Sequence, residues 1–142
     1  MNDFPARGCL LALLLVAACR DQLLQPGSVP FDPPRAYAVL WAEVESCSAL
    51  RGDWRRVTWY RSPSLPADWV AMWVPPHNVV LSDALFSGDM SEWYRDFVVR
   101  HEILHDLEQR DDHPIVFQTC GLEYPKDGGG DGTAPVSLRR EE

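Results

Sequence analysis

The chain has 142 residues and a formal net charge of −8. That length holds one domain at most. An acidic chain with no basic run cannot replace the counterions of a phosphate backbone, which excludes nucleic acid as a partner, and anionic lipid headgroups would repel it.

The first segment, "MNDFPARGCLLALLLVAAC", has a short polar start carrying Arg7 and then an apolar run from Cys9 to Ala18. A bilayer span needs about 20 apolar residues, so this run suits the core of a secretory signal instead. Its end, "VAAC" over Val16 to Cys19, resembles a bacterial lipobox. The resemblance implies cleavage after residue 18 and a lipid on Cys19, anchoring an exported protein to a membrane of the bacterial envelope through the lipid alone. Residues 19–34 contain four prolines and one glycine and read as an extended, flexible tether. Removal of the leader and acylation of Cys19 leave Cys47 and Cys120. An oxidising compartment favours a disulfide between them.

The expected folded domain is 35–124. "PPRAYAVLWAEVESCSALRGD" has apolar residues at helical spacing, with Pro34 suited to the first turn and Gly52 to the stop. Residues 54–60, "WRRVTWY", alternate and are rich in β-branched and aromatic side chains, which predicts a strand. "DWVAMWVPPHNVVLSD" (68–83) predicts two short strands broken at Pro75-Pro76. A helix follows over about 90–109, with Asp89 and Glu92 as a capping pair. Its apolar residues, Trp93 through Leu107, cover much of its circumference, so it should be mostly buried. The Gly-rich segment 125–142 is expected to be a disordered tail. The fold class is therefore α+β: an N-terminal helix, a short antiparallel or mixed sheet, and a buried helix. A core this small gains from a disulfide and from bound metal.

The buried helix carries His101, Glu102 and His105, the pattern H-E-x-x-H. Residues four apart on a helix lie about 40° from one face and about 5.4 Å apart along the axis, so two imidazoles can share one ion. Glu102 projects about 100° from His101 and can reach a water on that ion instead of the ion itself. This pattern resembles the zincin zinc metallopeptidases, and the leader, small domain and late cysteine resemble small bacterial lipoproteins of metallopeptidase type. The resemblance implies Zn²⁺ as cofactor, His101 and His105 as ligands, and Glu102 as general base and acid in peptide-bond hydrolysis. It also implies a zincin-like sheet before the helix, with an edge strand bordering the cleft. The expected partner is a peptide or protein substrate, and the chain is expected to act as a monomer. A non-catalytic, metal-stabilised envelope binding protein is the rival function.

A catalytic zinc takes three protein ligands. The metzincin branch has a third histidine six residues after the second, with a glycine between. Here the glycine is absent and the next histidine is His113, eight residues after His105. Asp111 and Asp112 suit a turn and Pro114 favours an extended His113, so the chain could bring it back to the helix. Glu123, Asp111 and Asp112 are alternative third ligands. Asp106, Asp111 and Asp112 could instead orient the imidazoles or simply be solvated at the helix end. His77 reads as a solvated loop residue, and Tyr124 as a packed surface residue or an oxyanion donor. Trp69 and Trp73 fall on one face of a strand and either pack in the core or line a cleft.

Overall fold

The structure, a computed structural model, describes residues 24–124. The expectations for the signal segment, the lipid on Cys19, the start of the tether and the tail lie outside these residues. The elements in chain order are β1 (Val29–Pro30), α1 (Ala36–Ser48), β2 (Thr58–Ser62), β3 (Ala71–Val74), β4 (Asn78–Ser82), α2 (Glu92–Glu108) and α3 (Ile115–Thr119). The fold is α+β. The sheet has the order β1-β2-β4-β3, with β2 parallel to β4 and the other pairs antiparallel, so β3 is an edge strand. Among the described residues no helix is long and apolar enough to cross a membrane.

The alternation of the strands explains the two layers of core. Trp59, Trp73, Val79 and Leu81 face the helices and pack with Leu40, Trp41 and Val44 of α1 and with α2. Val74 and Val80 face the other way, onto Leu65, with Leu24, Tyr60, Trp69 and Met72 around them. Trp69 and Trp73 therefore do not share a face, contrary to the expectation. Trp69 precedes the strand, which begins only at Ala71. Helix α2 sinks Val98, Val99, Ile103 and Leu104 to 0% exposure. Each such side chain contributes on the order of 1.5–3 kcal/mol when removed from water, so the helix is a rigid base for its polar residues. Trp93, expected on the buried helix, is instead exposed; Tyr94 takes the inward position.

Four local expectations are corrected. The tether is partly folded: Val29–Pro30 pairs with β2, and Phe31 packs on the core. The strand expected at 54–60 begins at Thr58, because Asp53 caps a single turn at Trp54–Arg56 by accepting the Arg55 N–H at 3.1 Å. Helix α1 stops at Ala49, which adopts the left-handed conformation (φ 61°), rather than at Gly52. Gly52 serves close packing: a Cβ there would lie 2.7 Å from Leu107 Cδ2 and 2.9 Å from Trp41 Cζ2. Helix α2 is capped by Ser91, whose hydroxyl accepts the Tyr94 N–H at 3.2 Å, and not by Asp89, which lies two residues too early.

Candidate metal centre

His101 sits near the middle of α2 and His105 in its last turn, both buried. The helix ends at Glu108, and Gln109 adopts a left-handed conformation (φ 54°), the role a glycine would otherwise fill. Its side-chain amide holds the turn by donating to the carbonyls of Pro76 (2.7 Å) and Asp106 (2.6 Å). The chain reverses, and His113 returns to the face that carries the other two histidines. The three Nε2 atoms meet: 3.1 Å between His101 and His105, 3.2 Å between His105 and His113, and 3.1 Å between His101 and His113.

The tautomers follow from the other ring nitrogens. His101 Nδ1–H donates to the Leu122 carbonyl at 2.7 Å, and His105 Nδ1–H donates to the Arg110 carbonyl at 2.7 Å. A carbonyl only accepts, so each Nδ1 carries the proton and each neutral ring presents a bare Nε2 lone pair to the cluster. Bare lone pairs at this distance repel unless a cation lies between them. Burial and the neighbouring imidazoles oppose protonation, holding His101 down to about 3; burial above all holds His105 down to about 4. A metal ion is the cation that fits. Tetrahedral ligands at about 2.0–2.1 Å lie roughly 3.3–3.4 Å apart, close to the spacing found here. Among the described residues, His101, His105 and His113 form a group able to hold a metal ion; Asp111, Asp112 and Glu123 are not in it.

Phe117 of α3 lies beneath all three rings, with centroids 5.0, 4.6 and 4.8 Å from His101, His105 and His113. It is fully buried. Sequence reasoning missed both this residue and its five-residue helix, whose length carries too little periodicity; the only local signal was Pro114, which stands at its N-cap. Tyr124 packs on His101 at 4.5 Å and on Phe97 at 5.2 Å, half-buried rather than a surface residue. Burial and the neighbouring Glu102 raise its pKa, so the hydroxyl stays protonated.

Glu102 is buried beside the cluster, and burial pushes its carboxyl up to about 8, against the partial offset of a hydrogen bond from the Trp73 backbone N–H. The same two groups line a cleft of about 480 Å³, together with the three histidines, Ala71, Asp111 and Tyr124. Trp69 and Met72 complete its wall.

Asp106 neither orients the three clustered imidazoles nor is solvated at the helix end, the two roles expected for it: backbone carbonyls orient His101 and His105, and Asp106 is buried. Its buried carboxylate accepts the Trp73 indole N–H at 3.1 Å and meets His77 Nδ1 at 3.1 and 3.2 Å. It points to the β3–β4 turn because its place on α2, one residue past His105, is rotated about 100° from that ligand. His77 is thereby a partly buried partner of Asp106 rather than a solvated loop residue, and it is outside the metal cluster. Asp112 pairs with Arg110, and Asp111 is exposed at the cleft. A disulfide joins Cys47 at the end of α1 to Cys120 just past α3, with Cα atoms 5.7 Å apart.

Three histidine nitrogens aimed at one point, a carboxylate in the same cleft and an edge strand alongside define a candidate metal centre. No family model, curated protein or solved structure matches the chain.

Proposed function

We propose that the chain is a zinc-dependent peptidase of zincin type. The observation that supports this most is the convergence of three imidazole Nε2 atoms at 3.1–3.2 Å in a cleft that also contains Glu102. Zinc held by His101, His105 and His113 would supply Lewis acidity, lowering the pKa of water and polarising a carbonyl. Three imidazole ligands would leave a further position on the ion for water, as a catalytic site requires.

The chain's own residues supply the rest. Glu102, whose ionised form a bound zinc beside it would favour against the burial that raises its pKa, would in that form accept a proton from the attacking water and pass it to the leaving amine nitrogen. The Trp73 N–H keeps one carboxylate oxygen oriented toward the edge strand. The Ser82 N–H donates to the Val70 carbonyl at 2.8 Å. By the alternation of an antiparallel pair, Met72 and Val74 then face β4, while the backbone groups of Ala71 and Trp73 face outward along the cleft. An extended peptide can add to that edge. The protonated Tyr124 hydroxyl is the available donor to a developing oxyanion. Export on a lipid anchor remains part of this proposal and is supported by the leader sequence and by the disulfide, which suits an oxidising compartment.

The test is Glu102→Gln. The variant should bind one zinc as the wild type does and lose hydrolysis of a peptide library. If the zinc-loaded wild type cleaves nothing that the variant spares, the peptidase reading falls and a metal-stabilised binding protein takes its place.

A further inference from the structure

The cleft beside the metal cluster has an uneven wall. Apolar surface is supplied by Trp69 and Met72, both partly exposed, and by the ring of Tyr124, which also lines the cleft. The acidic side chains that line it are Glu102 and Asp111, and no Lys or Arg is among the lining residues. Trp69 is braced from behind by the cluster of Leu65, Val74 and Val80, so its ring has a rigid seat.

The backbone that delivers Trp69 is strained. Ala67 (φ 52°) and Asp68 (φ 59°) are consecutive non-glycine residues in the left-handed region. L-residues adopt this region singly and at a cost. Such strain persists where surrounding structure demands it, often at ligand sites. Its result here is that the chain turns sharply at Pro66–Asp68 and sets Trp69 beside the cleft, with the Trp69 N–H bonded to the Pro66 carbonyl at 3.0 Å.

We infer that Trp69, with Met72 and Tyr124, forms a specificity site for a bulky apolar side chain next to the bond presented to the metal, and that the cleft discriminates against acidic side chains. The inference deepens the peptidase proposal by naming its substrate class, and it rests on that proposal's open metal position. An apolar side chain gains by leaving water against the indole and thioether. An acidic one lies beside the exposed Asp111 carboxylate, with no Lys or Arg on the wall to pair with it.

Binding tests this without relying on turnover. N-acetyl hydroxamates of phenylalanine, glycine and glutamate, with acetohydroxamate as the baseline, are titrated calorimetrically into the zinc-loaded protein. The phenylalanine compound should bind about tenfold to a hundredfold more tightly than the glycine one, the range a filled apolar pocket yields. The glutamate compound should bind more weakly than the glycine one. Trp69→Ala should erase most of the phenylalanine preference while keeping zinc and acetohydroxamate affinity, and Trp69→Phe should retain it. Equal affinity for phenylalanine and glycine compounds in the wild type, or an undiminished preference in Trp69→Ala, overturns the inference. Zinc binding with no hydroxamate affinity at all overturns both the inference and the open metal position. A phenylalanine preference lost in Trp69→Ala, found in a protein that cleaves no peptide, upholds the apolar site and removes only the peptidase proposal.

Discussion

His101 on α2 donates its Nδ1–H to the carbonyl of Leu122, 21 residues later, at 2.7 Å. Leu122 lies two residues past Cys120, and the disulfide from Cys120 to Cys47 ties this stretch to the end of α1. The bridge therefore supports an interaction that fixes both the tautomer and the ring orientation of a candidate metal ligand. Replacing both cysteines by serine should destabilise the protein by about 2–4 kcal/mol, read from urea unfolding. Zinc affinity should fall about tenfold or more, as when a ligand loses its orienting partner. Unchanged zinc affinity in a variant that still folds would separate the bridge from the metal centre.

His113 is exposed, whereas His101 and His105 are buried. Its removal should therefore cost the metal-free fold little, within about 0.5 kcal/mol, as for surface substitutions generally. Zinc affinity in His113→Ala should nevertheless fall by orders of magnitude, comparably to His105→Ala. Competition against a chelating dye measures both. Near-wild-type affinity in His113→Ala beside a loss in His105→Ala would exclude it as a ligand.

The metal-free protein should be most stable near pH 6.5. Burial lowers His101 from 6.5 to about 3 and His105 from 6.5 to about 4. As pH falls below 6.5 the unfolded chain takes up two protons that the folded chain refuses, so stability is lost toward acid. Burial raises Glu102 from 4.5 to about 8. As pH rises through that interval the folded chain keeps a proton that the unfolded chain has released, so stability is lost toward base. Two protons outweigh one between pH 4.5 and 6.5, and above that the histidine contribution fades while that of Glu102 remains; Asp106, also raised by burial, acts in the same direction as Glu102. Urea unfolding in chelator across this range should trace the maximum; a steady rise to pH 8 would contradict the Glu102 contribution. Zinc should add stability at neutral pH and lose that effect only toward about pH 4 and below, where protons compete for His101 and His105.

Gly52→Ala should destabilise by about 1–3 kcal/mol, the usual cost of overpacking. Its Cβ would meet Leu107 and the Trp41 ring at 2.7 and 2.9 Å, at the contact that joins α1 to the C-terminal half of α2. Thermal unfolding measures the loss, and a neutral result would mean that Leu107 moves aside freely.

What the sequence determined by itself was local or countable. The spacing of His101 and His105 makes them neighbours on any helix, because four residues nearly close one turn. The short apolar, β-branched runs "AMWV" and "NVVLS" on either side of Pro75-Pro76 read as strands, and the two cysteines outside the expected leader and lipidation site favoured one bridge. What only tertiary structure decided depends on groups distant in the chain or on single backbone torsions. The return of His113 turns on one left-handed residue, Gln109, which carries no glycine to announce it. The imidazoles are oriented by the carbonyls of Leu122 and Arg110, and every residue has a carbonyl, so no side-chain pattern could mark these two. Asp106 was legible as a carboxylate on the same helix as His101 and His105. Its partners, Trp73 and His77, became its partners only when the β3–β4 turn packed against α2, 29 to 33 residues away in the chain.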